Sequence, residues 1–484
     1  MIKVSEVMKF INKIETTCNP SSWMVNGLRL WPLVRVILSN CIRMQDFVGP
    51  IVAHRVEKKR WSLLKGLTKS FLSILRLSFS NSIWQGYPII FFTTYSDPRE
   101  ELTNLSAPLK HIMKSHRIRY LEIKVSNPEE HRSTCNDSFL FLDRYWLAGM
   151  MKCLRLFQSY FKRTRAKFPG LRKARNLLAE RFPAVDHKIM KKSWLILQAR
   201  SLEAYRLFFS ILLGILRAKK TIVICYYSPL KMGYILGAKK RHVLSADYQH
   251  GVQGRFHYAY GSFYNIPPSG YELLPDVFLN WSEMEKAHID HWAFSTPHKS
   301  IVVGNLLAQS KENKLYFDEQ KYRNFFSSLE DRPLILFTLQ NFMPPDWIWD
   351  GIRMTGSEMK WLIRLHPLHQ YLRELVCKKL SEWELTHLEI ELASTIPLPI
   401  LLRRISIHVT GNSSVVLDAF HLGKPSVVID HYGMEYYEEL IESGVVFPAF
   451  NPQQLKQTLR HILSTTFKIE TIKPNTGLLE FLNS

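Results

Sequence analysis

The sequence predicts an α/β protein with two doubly wound domains facing a cleft and a helical N-terminal extension. Two observations predict this class. Short apolar runs that end in polar residues recur in both halves, as buried parallel strands do, and helical stretches separate them. The chain has 484 residues at 46% hydrophobic content, enough for two or three domains with their own cores.

Residues 1–85 read as the helical extension. "WMVNGLRLWPLVRVIL" (23–38) is apolar with arginines at 29 and 35. In 61–84, Trp61, Leu64, Leu67, Phe71 and Leu75 fall near helical spacing with Lys65, Lys69 and Arg76 between them. Such a basic amphipathic helix suits a membrane interface or the core face of a soluble domain. The first domain, 86–290, opens with the strand "YPIIFF" and continues through the runs 221–228, 241–251 and 276–283. Residues 141–218 read as basic helices inserted into it. The second domain, 291–484, is expected to open with "SIVVGNLL" (300–307). Strands follow at 333–341, 360–368, 387–394, 406–414, 425–430 and 444–450, with helices between them. Both domains are therefore Rossmann-like, and ligands in such sheets bind at the carboxyl ends of strands.

The bulk numbers narrow the function. The net charge is +22, and residues 151–200 hold 14 Lys/Arg against two acids, Glu180 and Asp186. A patch of this kind attracts polyanions, either nucleic acid or an anionic membrane surface, or is simply a solvated helical face. The basic residues follow no helix-turn-helix, RRM or zinc-finger pattern, which disfavours a nucleic-acid-binding protein. The six cysteines have no C-x-x-C spacing, so reduced thiols of a cytoplasmic protein are expected. No signal peptide is read at the N-terminus, and no apolar run reaches the ~18 residues of a spanning helix. "LFFSILLGIL" (207–216) is therefore expected as a buried helix.

Three strand ends carry the chemistry. In "VTGNSSVVLDAFHLGKPSVVID" (409–430) an apolar strand runs into Gly411, Asn412, Ser413 and Ser414. Asn412 or Ser413 suits the N-cap of a helix over 413–422, and Gly411 allows close approach of a ligand. The hydroxyls and the helix N-terminus favour a phosphate, with Asp418 one turn on within reach of a ribose hydroxyl. The bland reading is plain helix capping. In "WLIRLHPL" (361–368) Pro367 ends a strand and leaves His366 at the same sheet edge, with Arg364 as a second phosphate contact. In "DYQHGVQGRFHYAYG" (247–261) Gln249, His250, Gly251, Gln253 and Arg255 follow a strand of the first domain. His250 there suits a general base, or is simply a solvated histidine of a turn. There is no P-loop, no G-x-G-x-x-G after the first strand, no H-E-x-x-H and no G-x-S-x-G. No D-x-D occurs, so no metal site is expected, and sugar-nucleotide chemistry would rest on side chains and helix dipoles.

With these pieces in place, residues 220–450 resemble the GT-B glycosyltransferases of bacterial surface polysaccharide (capsule and O-antigen) synthesis. "RLHPL" is similar to the His-Pro motif of sialyl-, Kdo- and polyol-phosphate transferases, and "TGNSSVVLDAFHLGKPSVVI" to their Ser-Ser motif. The resemblance implies that His366, Ser413 and Ser414 hold the phosphate of a cytidine nucleotide. "YQHGVQG" is similar to the His-Gly loop of the polyol-phosphate transferases, which implies His250 as the base. Two departures stand out. The acidic sialyltransferase motif is missing, "ADYQHG" offering only Asp247, and the paired glutamates of retaining enzymes are absent, which points toward inversion.

The resemblance implies a transferase that moves a sugar or polyol phosphate from a nucleotide-sugar donor, CMP- or CDP-linked, to a saccharide acceptor. A lipid-linked saccharide is one form of that acceptor. The enzyme would need no cofactor and no nucleic acid, and would sit peripherally on the anionic inner face of the cytoplasmic membrane. A UDP-using transferase or a non-hydrolysing UDP-sugar epimerase remains the alternative.

Overall fold

The computed structural model describes residues 2–47, 86–93, 106–126, 139–161, 164–306, 319–329, 332–340, 343–385, 388–465 and 477–484. The chain divides into two compact units. The first comprises Met1–Pro98, Met113–Val303 and Thr476–Ser484; the second comprises Arg99–Ile112 and Gly304–Asn475.

The first unit begins with the helix Val4–Cys18, which buries Val4, Val7, Met8, Ile11, Ile14 and Cys18 at three- and four-residue spacing. Asn19 ends it in the left-handed region (φ 49°), and Pro20 follows. Strands β1 (Met24–Val25) and β2 (Leu28–Arg29) form a hairpin whose turn residues Asn26 and Gly27 both have positive φ, as a type I′ turn requires. The helix Trp31–Arg43 packs back on the first helix with Pro32 in its opening turn. The amphipathic stretch 61–84 lies outside the described residues.

Strands β3 (Ile89–Thr93), β4 (Tyr120–Ser126) and β5 (Phe139–Asp143) follow. The short β6 (Ala166–Lys167) pairs with β1. Next come β7 (Lys220–Ile224), β8 (Leu244–Tyr248), β9 (Val277–Asn280) and β10 (Lys299–Val302). Seven of these make one parallel sheet in the order β10-β9-β8-β7-β3-β4-β5. Its direction of winding reverses between β3 and β7, the doubly wound pattern in which a ligand crevice opens at the reversal. Two of its strands were not foreseen. β4 lies where no strand was expected, and β5 runs into the start of the stretch read as basic helices. β4 hides because it carries Glu122 and Lys124 where a buried strand should be apolar, both nearly buried here; Thr93 Oγ1 donates to Glu122 Oε1 at 2.9 Å. β10, expected to open the second domain, instead pairs in parallel with β9.

Among the basic helices, Leu171–Arg181 leaves Arg172, Lys173, Arg175 and Arg181 exposed. The stretch 207–216 falls within the long helix Lys192–Ile215, which buries Leu202, Phe209 and Leu213 but leaves Ile211 and Ile215 56% exposed. Among the described residues no helix is long and apolar enough to cross a membrane. The C-terminal helix Gly477–Asn483 returns to the first unit, where Lys220 Nζ donates to the carbonyls of Phe481 (2.6 Å) and Leu482 (3.1 Å).

The second unit holds a five-stranded parallel sheet of β11 (Leu334–Thr338), β12 (Lys360–Arg364), β13 (Ile407–Thr410), β14 (Ser426–Val428) and β15 (Val446–Pro448). Their order is β12-β11-β13-β14-β15, with the reversal between β11 and β13. The expected strand at 387–394 is not one. A single bridge joins Glu389 to Leu362, and Glu389 Oε1 accepts from Leu392 N at 2.7 Å, which starts the helix Glu391–Thr395.

Candidate functional site

The second unit gathers polar groups where its sheet reverses. β13 ends at Thr410, and Gly411–Ser414 turn into the helix Val415–His421. Ser414 is the N-cap, in place of Asn412 or Ser413, and its side chain makes no capping bond. Ser413 Oγ accepts from Val415 N at 3.4 Å, and the Tyr437 hydroxyl donates to the Ser413 carbonyl at 2.6 Å. Among the described residues the backbone N–H groups of Ser413 and Ser414 and the Ser414 hydroxyl have no hydrogen-bond partner. Three adjacent donors are therefore left for an anion at the mouth of the sheet.

The turn is braced from behind. Asn412 N donates to Gln340 Oε1 (3.3 Å), just past the end of β11, and Asn412 Nδ2 to Asp430 Oδ2 (3.3 Å). Asp430 also accepts from Gly433 N (2.6 Å) and so caps the helix His431–Tyr436. A Cβ on Gly411 would lie 2.4 Å from Asp430 Oδ2. Close packing against this carboxylate thus requires glycine at 411, a reason different from the ligand approach foreseen. Gly411→Ala is expected to cost about 1–3 kcal/mol and to displace the Asn412 turn. Thermal unfolding with nucleotide titration checks it: unchanged stability would show that Asp430 yields freely.

His366 follows β12 and is exposed at the same sheet edge, its ring 4.9 Å from that of His369. Arg364 does not join it. Arg364 is buried, and Nη1 donates to the carbonyls of Ala393 and Ile396, both at 2.6 Å. It binds carbonyls in the middle and at the C-terminal end of the helix Glu391–Thr395, which corrects the phosphate contact expected of it. Asp418 accepts from Asn305 Nδ2 at 2.7 Å, and burial raises its carboxyl to about 6 against the pull of that bond.

The first unit gathers its own cluster at the reversal of its sheet. Cys225 directly follows β7 with φ 59°, an unusual conformation for a side chain other than Gly or Asn. Its Sγ lies 2.7 Å from Nε2 and 3.3 Å from Nδ1 of His250, which follows β8. The Tyr227 side chain lies close to the same sulfur. Burial pushes the Cys225 thiol up to about 11 and the His250 imidazole down to about 4. The pair is therefore a neutral thiol beside a neutral imidazole, not a thiolate–imidazolium nucleophile. Asp247 lies beneath, accepting from Tyr226 N (3.0 Å) and the Tyr260 hydroxyl (2.6 Å), with its carboxyl raised by burial to about 6. Lys231 Nζ donates to the Ile224 carbonyl, and burial lowers its proton affinity.

The two glutamines expected to meet substrate are structural instead. Gln249 is fully buried: Nε2 donates to the Gly251 carbonyl (2.9 Å) and Oε1 accepts from Trp281 N (2.6 Å), so the His250 turn is clasped from inside. Gln253 is also buried and accepts from Asn280 Nδ2 at 2.7 Å. Arg255 is exposed, its guanidinium 4.6 Å over the Phe256 ring. Cys225, Tyr227 and Gln340 were missed because each is a single residue after an apolar strand. Only the order of strands in the sheets makes those ends neighbours.

No family model matches the chain, and no curated protein matches it. Among solved structures it is similar to the UDP-GlcNAc 2-epimerase from Neisseria meningitidis bound to UDP-GlcNAc, at 14% identity and TM-score 0.49, over 82% of this chain and 99% of that one. It is similar to the wall teichoic acid polymerase TagF at 11% identity and TM-score 0.39, over 88% of this chain and 96% of that one. It is also similar to HepE from Anabaena in complex with UDP and glucose, at 11% identity and TM-score 0.41, over 81% and 94% of the two chains.

Proposed function

We propose that the chain is a glycosyltransferase of surface-polysaccharide synthesis that takes a sugar or polyol phosphate from a nucleotide-activated donor. The second unit would hold the donor nucleotide and the first would hold the acceptor. The reading is carried by the unpartnered N–H groups of Ser413 and Ser414 with the Ser414 hydroxyl, with His366 two strands away at the same carboxyl edge of the sheet. These are neutral and imidazole donors on a fixed turn, suited to a phosphate leaving group. Asp418 would accept a ribose hydroxyl. His250 would take the proton of the attacking hydroxyl, and Asp247 beneath it favours the resulting imidazolium, since the two charges attract. The exposed arginines and lysine of the helix Leu171–Arg181 would meet an anionic membrane surface or an acceptor diphosphate.

Calorimetry of the purified chain with CMP, CDP, UDP and GDP tests the donor side. His366→Ala is expected to weaken binding about ten- to hundredfold through loss of a charge-assisted bond. CMP or CDP preference supports the cytidine donor, and UDP preference replaces it while keeping the site. Equal affinity of wild type and His366→Ala removes His366 from the site.

A further inference from the structure

The loop after β8 carries a second imidazole, His257, which is only partly buried. The backbone N–H of Ala259 donates to its Nδ1 at 3.1 Å. A backbone N–H can only donate, so Nδ1 bears the lone pair and the neutral ring carries its hydrogen on Nε2. Packing fixes the ring as well. It stacks on Tyr258 (centroids 4.7 Å, 28° between planes) and lies 4.8 Å from Tyr260 and 5.5 Å from Tyr227. Among the described residues no group bonds to Nε2.

Two arginines lie near this ring, one of them paired with Glu15, and the Asp247 carboxylate lies behind Tyr260. Arg35 donates to the carbonyls of Gly261 (2.8 Å) and Ser262 (2.9 Å) in the same loop, and Arg43 lies 5.8 Å over the Tyr258 ring. Burial, with His250, Arg43 and Arg35 nearby, holds His257 well below the usual imidazole range, so it stays neutral. His250 differs, because its partner is a thiol that can give or accept a hydrogen and leaves it free to move a proton.

We propose that His257 is a second substrate-contacting residue of the first unit, a permanent Nε2–H donor to a phosphate oxygen of the acceptor molecule. The inference rests on the reading of the first unit as the acceptor side with His250 as base. A fixed neutral donor with the Arg43 guanidinium nearby favours an anionic oxygen without itself exchanging protons. The phosphate can come from a lipid diphosphate or from a free one.

The test uses the full-length chain labelled with 15N-histidine, in a Ser414→Ala/His366→Ala background that removes the second unit's side-chain donors. His257 is expected as the Nε2–H tautomer that does not titrate in the ordinary imidazole range. Geranyl diphosphate or inorganic pyrophosphate should shift its Nε2 signal. Binding of the first alone marks a lipid-linked source, and binding of both marks the phosphate itself. His257→Asn keeps an acceptor for Ala259 N and loses the far donor, so diphosphate affinity should fall about tenfold with the melting temperature held. His257→Gln, whose amide nitrogen reaches the Nε2 position, should recover part of it. An Nδ1–H tautomer, titration within that range, absence of any shift, or unaltered affinity in His257→Asn would overturn the inference. The base reading fails separately: His250→Ala with undiminished transfer overturns that role, while the diphosphate titrations still judge His257.

Discussion

Glu15→Ala is expected to destabilise the first unit by about 3–5 kcal/mol. Glu15 and Arg35 are 1% and 0% exposed and form an ion pair at 3.4 Å between the two N-terminal helices. Glu15 also accepts from Trp31 Nε1 (2.6 Å) and Tyr264 N (2.9 Å), and its carbonyl accepts from Asn265 Nδ2 (3.2 Å). Arg35 lies 3.8 Å over the Phe263 ring and bonds two carbonyls of the same loop. Alanine at 15 leaves the guanidinium buried without its counter-charge and strips two donors of their acceptor, the costly way to break such a pair. Arg35→Met together with Glu15→Gln should cost less than the sum of the single changes, because neither charge is then stranded. Urea unfolding of the four proteins measures the coupling. A loss below about 1 kcal/mol for Glu15→Ala would mean that water reaches the pair and that the helices do not brace the loop.

That bracing gives the N-terminal helices a role that the sequence hid. "WMVNGLRLWPLVR" reads as apolar helix with two arginines, and nothing in its spacing says that Arg35 reaches Gly261, more than two hundred positions away. Strand ends with a conspicuous residue were legible: Ser413, His366 and His250 each stop an apolar run and each stands at a sheet edge. Partnership was not legible. Arg364 alternates with apolar neighbours as a cleft residue would, yet two backbone carbonyls of a following turn claim it. Gln249 and His250 are adjacent, but the pleat sends one into the core and the other toward Cys225. The strand predicted at 387–394 failed because Glu389 caps a helical turn, a local bond that competes with the ladder.

His250→Ala is expected to lower transfer about 10²- to 10⁴-fold, the usual worth of a general base, while nucleotide affinity stays within twofold or so. The split follows from the proposed roles, since His250 belongs to the first unit and Ser413, Ser414 and His366, proposed to hold the nucleotide, to the second. The pH profile sharpens it. With its imidazole lowered to about 4, the free base is already deprotonated at pH 5, so its own titration should put no step near 6.5. A group with a depressed folded value also costs stability as pH falls from the ordinary histidine range toward 4, so His250→Ala should lose less stability in acid than wild type. Asp247, near 6, titrates within the working range: below that value its carboxylate is lost, and the imidazolium formed during transfer loses its counter-charge. Activity should therefore decline as pH drops through about 6 because of Asp247, and Asp247→Asn should flatten that limb while lowering the plateau. Cys225→Ala separates positioning from proton transfer. Without the thiol the ring loses the one hydrogen-bond partner it has among the described residues, and turnover should fall while the limb at 6 persists. A limb that moves to 6.5 in Cys225→Ala would show that the buried thiol, and not burial of the ring itself, keeps His250 neutral. A transfer rate in His250→Ala equal to wild type would remove the base from this loop altogether.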